Sequence, residues 1–191
     1  MEKKKRREIV EWSVALGVMA ILYITGLHTE VIGTLQRGIL ATGIMTPDKP
    51  ESKVAIDDSD YDFELVGLDG KEISFSDLKG KTIFLNLWAT WCPPCIAEMP
   101  EIQSLYEKTG SDEIVFVMLS LDDDREKPIR FIERKEFTFP VYTLKNGLPQ
   151  VFHSQSIPTT FVISPEGEIM VKQAGMASYD TESFRELLMS R

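Results

Sequence analysis

The chain is poor in the residues that bind metals. It has two cysteines, Cys92 and Cys95, and two histidines, His28 and His153. Cys-x-x-Cys is half of a structural zinc site, which needs a second ligand pair. The histidines lie far from each other and from the cysteines, so no metal site is expected. There is no other thiol for a second disulfide, and no internal repeat or low-complexity tract. Positive charge is also scarce where it would matter for nucleic acid. Residues 48–191 carry 15 Lys/Arg against 26 Asp/Glu, a net of −11, within a chain total of −9. So acidic a main region excludes nucleic acid as a partner. The acidity serves solubility.

The first 47 residues differ, with six Lys/Arg against four Asp/Glu, a net of +2. A basic cluster, Lys3 to Arg7, precedes an apolar run. From Trp12 to Leu27 no residue is charged. Counted back to Ile9, the run approaches the roughly 20 residues that span a bilayer core. Trp12 and Tyr23 suit its interfaces. No small-x-small cleavage site and no cysteine directly follow it, so the expectation is an uncleaved signal-anchor over residues 9–28 rather than a cleaved signal or a lipoprotein. The basic tail, residues 1–8, stays in the cytoplasm. A single-pass protein of the cytoplasmic (inner) membrane follows, with its main domain in the periplasm or an equivalent space, where disulfides form and need management.

Residues 29–60 divide in two. Val31, Ile32, Leu35, Ile39 and Leu40 recur near helical spacing. They describe either an amphipathic helix on the membrane surface or a linker helix packed on the domain. Thr46 to Asp60, rich in Pro, Asp and Ser, reads as a flexible tether.

The main domain, 61–191, opens with a hairpin turning at Asp69-Gly70. Thr82–Trp88 and Ile114–Leu121 read as central buried strands. A helix over about 93–108 separates them, and another over about 125–136 follows, with Asp122 to Asp124 as its capping acids. A short helix over 148–154, strands over 159–163 and 168–173, and a last helix over 181–189 capped by Asp180 complete the order. That alternation predicts an α/β class, with a mixed central sheet carrying helices on both faces.

The cysteines fall where a strand gives way to a helix. Cys92 at the helix start faces unpaired N–H groups and the positive dipole end, which favour thiolate. Thiolate is the attacking species in disulfide exchange. Pro93 suits the first helical turn. Cys95, on the same face, is the expected resolving thiol. A purely structural staple is a poor rival, because so small a ring constrains little unfolded chain. Trp91, beside the nucleophile, is expected on a docking surface. Glu98 lies on the same side of the helix, either as a solvated acid or, if buried, as a proton carrier.

The run Trp88 to Pro100, WATWCPPCIAEMP, together with Ile157-Pro158-Thr159-Thr160-Phe161, resembles the membrane-anchored TlpA/ResA-like thiol-disulfide oxidoreductases of the thioredoxin superfamily. The resemblance covers about residues 61–191. It implies a thioredoxin-like fold, a redox-active Cys92–Cys95 disulfide and no bound cofactor. It matches Pro158 to a cis-proline facing the cysteines. It leaves the backbone of Ile157 to pair with substrate, so that Ile157, Pro158 and Thr159 join Trp91 in substrate binding. It matches Pro100 to the proline inside the active-site helix. Thioredoxin has a buried Asp where this chain has Asn86, and Glu98 matches a carboxylate that in the ResA-like branch lies beside the cysteines. A membrane thiol-electron donor and oxidised protein thiols such as apocytochrome c are the implied partners, as in cytochrome c-type biogenesis.

The uncharged Pro-Pro between the cysteines predicts a reductant, a protein-disulfide reductase. The alternatives are a disulfide-forming oxidase and a thiol peroxidase of the related fold. The peroxidase places Thr three residues before its cysteine, where this chain has Ala89.

Overall fold

The computed structural model describes residues 2–25, 27–40, 47 and 54–190. Two helices come first, α1 (Glu2–Ile24) and α2 (Leu27–Leu40). Most of the expected tether, and the side chain of Ile39, lie outside the described residues.

Eight strands form one sheet. They are β1 (Val54–Ala55), β2 (Glu64–Gly67), β3 (Glu72–Ser74), β4 (Thr82–Trp88), β5 (Ile114–Ser120), β6 (Val141–Leu144), β7 (Thr159–Ile163) and β8 (Glu168–Ala174). Their order across the sheet is β1-β8-β7-β4-β5-β6-β2-β3. The pairs β4–β5 and β5–β6 are parallel and the others antiparallel. The parallel pairs need crossovers, supplied by α3 (Pro93–Thr109) and α4 (Glu126–Lys135), and α5 (Glu182–Met189) closes the fold. β1 extends the sheet into the segment read as tether, where Val54 pairs with Ile169 and Ile56 is buried.

Alternation along β4 builds two cores. Ile83, Leu85 and Leu87 enter a cluster with Phe63, Phe75, Phe152 and Phe161. Phe84 and Trp88 enter the other, with the buried residues of α3, α4 and α5. Here the expectation of helices on both faces is corrected. All three of these helices bury their residues in one cluster, and the opposite face is covered by three 3-10 turns, which bury Tyr61, Phe75, Leu78 and Phe152. The reason is directional: β4, β5 and β6 advance the same way across the sheet, so two right-handed crossovers put α3 and α4 on one side.

Two caps also differ from expectation. Thr181, not Asp180, caps α5, its hydroxyl accepting from the Phe184 N–H. Asp180 instead bonds Ser104, Lys108 and Arg185. Of the three acids before α4, only Asp124 accepts from a backbone N–H at the helix start, that of Glu126.

α2 packs on α3. A Cβ at Gly33 would lie 3.0 Å from the Pro93 carbonyl oxygen and 3.4 Å from Ile96, so the approach is close enough to favour glycine. Lys135 and Arg134 of α4 hold Glu30, and the Ser178 hydroxyl donates to the Leu40 carbonyl. No single described helix is long and apolar enough to cross a membrane. Lys5–Ile24 and His28–Gly38, bent by 93°, pass that test only as a pair.

Candidate active site

Cys92 and Cys95 form a disulfide, with S–S 2.06 Å and Cα–Cα 5.3 Å. Cys92 is the N-cap of α3, with Pro93 and Pro94 in the first turn. These prolines lack N–H groups that a first turn leaves unpaired anyway. The Cys95 N–H is therefore the first available donor, and it donates to Cys92 Sγ at 3.3 Å.

The loop between β4 and α3 is held by Asp122, one of the acids expected to cap α4. The carboxylate of Asp122 accepts from the Thr90 N–H (3.0 Å), the Thr90 hydroxyl (2.7 Å) and the Ser120 hydroxyl (2.8 Å). Only the parallel pairing of β4 with β5, which sets Trp88 beside Ser120, brings Asp122 to this loop. The loop presents Trp91, which is 55 % exposed, while Cys92 is 3 % exposed and Cys95 is fully buried.

The downstream motif arrives from across the sheet. The Ile157–Pro158 peptide is cis, and the Ile157 carbonyl oxygen lies 3.7 Å from Cys92 Sγ. Ile157 is half-buried and Pro158 buried. Thr159 follows as the first residue of β7. It is buried, its hydroxyl donates to the Ser156 carbonyl, and its backbone pairs with Ala174 and Leu87 inside the sheet. Its hydroxyl also bonds Ser154, so the side chain contacts the loop before Pro158.

Below the disulfide lies a buried polar chain. Glu98, one turn beyond Cys95 on α3, is 0 % exposed. The Asn86 amide donates to Glu98 Oε1 and to the Thr160 hydroxyl, each at 2.8 Å. The Ala177 N–H points to Glu98 Oε2 at 3.4 Å, and the Tyr179 hydroxyl donates to Thr160 at 2.7 Å. Burial pushes the Glu98 pKa up to about 8, against the opposing bonds from Asn86 and Ala177 and with a small push from the charge of Glu101. A carboxyl with that affinity is close to the roughly 8.5 of an ordinary thiol, which is the match that proton exchange between two such groups requires. Pro100 lies inside α3, where it withholds one helical hydrogen bond.

Among the described residues no group of His, Cys, Asp and Glu is arranged to hold a metal ion. The site as described brings together two sulfurs, one buried carboxyl and the Ile157 carbonyl beside Cys92.

The profile of the AhpC/TSA family matches residues 56–172. The thiol-disulfide oxidoreductase ResA of Oceanobacillus iheyensis is 38% identical over 132 residues, 66% of this chain and 69% of the relative. ResA of Halalkalibacterium halodurans is 33% identical over 129 residues, 66% of this chain and 73% of the relative. Among solved structures, StoA from Bacillus subtilis aligns with a TM-score of 0.55 and 31% identity, covering 65% of this chain and 93% of StoA. A putative thiol:disulfide interchange protein DsbE from Chlorobium tepidum shares the fold, with a TM-score of 0.59 and 24% identity over 75% of this chain and 95% of that one.

Proposed function

The chain belongs to the AhpC/TSA family and is a ResA-like thiol-disulfide oxidoreductase of the thioredoxin superfamily, and from that premise we propose that it works as a membrane-tethered reductant of protein disulfides. The observation that carries the reading is Glu98, buried on the same helix face as Cys95 and held by Asn86.

In the proposed cycle the reduced enzyme attacks first. The Cys92 thiolate, steadied by the Cys95 N–H, bonds to one sulfur of a substrate disulfide, and the other substrate sulfur leaves as thiolate. The mixed disulfide would sit beside the exposed Trp91, with the Ile157 carbonyl, 3.7 Å from Cys92 Sγ, as the acceptor for a substrate N–H. Glu98 as carboxylate then takes the proton from Cys95. The Cys95 thiolate attacks Cys92 Sγ, the second substrate sulfur departs, and the enzyme is left as the disulfide seen here. Two electrons pass to the substrate. Restoring the dithiol returns two electrons and two protons from a membrane thiol donor.

Direction follows from what stabilises the reduced pair. Nothing charged stands between the cysteines, so the Cys92 thiolate gains less than it would in a strong oxidant. A potential nearer the roughly −270 mV of thioredoxin than the roughly −120 mV of DsbA is expected. The proposed anchor is α1, whose side chains Trp12, Leu16, Met19 and Tyr23 are exposed. Its basic start would keep the N-terminus in the cytoplasm and leave the domain outside, facing exported protein thiols such as apocytochrome c.

Two measurements test the reading. Cys95→Ser in cells should accumulate proteins bound through Cys92, and an empty trap rejects reductase action on proteins. Equilibration of the purified protein with dithiothreitol buffers should give a strongly reducing potential, and a value near that of DsbA rejects the direction.

A further inference from the structure

α2 has two faces with different chemistry. Thr29, Gly33 and Leu40 are buried, toward α3 and the Ser178 loop. Val31, Ile32 and Leu35 are exposed at 49%, 42% and 73%. Thr34 and Gly38 complete that outward side, which carries no charge, because Glu30 and Arg37 lie on the flank next to the domain face. A packed linker helix has no need of an uncharged apolar outer face.

The junction with α1 says what covers it. α1 and α2 meet at 93°. His28 holds the corner, with its ring stacked on Tyr23 at 5.3 Å between centroids and its Nδ1 3.3 Å from the Leu22 carbonyl oxygen. His28, Val31, Ile32 and Leu35 follow helical spacing at i, i+3, i+4 and i+7, so they share one side of α2. The end of α1 therefore meets α2 on the side that carries the exposed apolar residues. An adjoining cleft of about 370 Å³ is bounded by Thr25, His28, Trp91, Lys127, Arg130 and Phe131, so the corner abuts the active-site loop.

We infer that the outward face of α2 is a bilayer-surface face, which lies in the headgroup plane and holds the mouth of the active site against the membrane. This rests on the proposed anchoring by α1. With α1 along the bilayer normal, the 93° bend lays α2 in the plane of the surface. The domain then hangs on the far face of α2, and Trp91 opens beside the point where α1 enters the lipid. Lys127 and Arg130 sit at headgroup level, where anionic lipid attracts them and competes with the exposed Glu126, 3.8 Å from Arg130, and Asp124 is the one carboxylate of the cleft not held by a basic partner.

The test uses the full chain with Cys92→Ser and Cys95→Ser, reconstituted in vesicles of phosphatidylcholine and phosphatidylglycerol. A nitroxide is attached through Leu35→Cys, or through Glu166→Cys in the β7–β8 turn at the other end of the domain. Spin-label collision rates are measured with oxygen and with a water-soluble nickel chelate. The inference expects oxygen to dominate at position 35 and nickel at position 166, an inversion of their ratio. If the protein floats with vesicles but position 35 meets nickel as readily as position 166, the inference fails and the anchor stands. If position 35 is shielded from both reagents, a second copy or another protein covers α2 and the inference fails. A chain that does not float with vesicles removes the anchor and the inference together.

Discussion

The two faces of the central sheet do different work with the same strand. One face packs Phe63, Phe75, Phe152 and Phe161 against Leu85 and Leu87, with ring centroids 4.4–6.0 Å apart. The other carries the helices and admits Glu98, Asn86 and Thr160, all buried. Burying a carboxyl is costly unless it stays protonated or finds donors, and here it does both. The apolar face can be optimised for packing alone. The polar face gives up stability for a buried proton site on the helix that carries the disulfide, where Asn86 is held by Glu98 and Thr160.

The division predicts that the largest stability loss comes from the face without chemistry. Phe152→Ala should cost about 3–5 kcal/mol in urea unfolding, because a buried aromatic leaves a cavity among three rings. The Cys92–Cys95 potential should stay near its wild-type value. A potential that moves with Phe152→Ala breaks the separation.

Glu98→Gln probes the other face. Folded Glu98 keeps its proton to about pH 8, against an ordinary 4.5 when unfolded. Between those values the native state binds more protons, so its stability falls as pH rises. Glu98→Gln should flatten that decline and be the more stable variant at the alkaline end, as read from urea midpoints across the window. Single-turnover release of substrate from Cys92 should slow by about 10²-fold or more, the usual worth of a positioned proton carrier. A variant that keeps both the slope and the rate would remove Glu98 from the mechanism.

The smallest effect should come from Asp122→Ala. It removes three hydrogen bonds at the partly exposed loop before Cys92 and should cost about 1–2 kcal/mol. Faster amide exchange at Thr90 and Trp91, with core amides unchanged, would locate the loss in that loop.

Much of this was readable along the chain. Burial of β4 on both faces shows as an apolar run, the hairpin as Asp69-Gly70 between short strands, and the α3 start as Cys-Pro-Pro-Cys, because each signal lies within a few residues. Expectations that depended on distant partners went astray. Asp180 looks like a cap until α3 supplies Ser104 and Lys108, and Asp122 looks like one until β4 brings Thr90 to it. The tether reading missed β1, since two residues carry no period and their partner lies in β8.

The sequence by itself determined the sulfur pair, its place at a helix start and the α/β alternation, because covalent spacing and local propensity are properties of neighbours. Only the tertiary structure decided that Glu98 is buried rather than solvated, that all three domain helices share one face, and that α2 turns an apolar side away from the domain. Each of those depends on which distant segments exclude water from a side chain, and no short stretch of sequence contains that information.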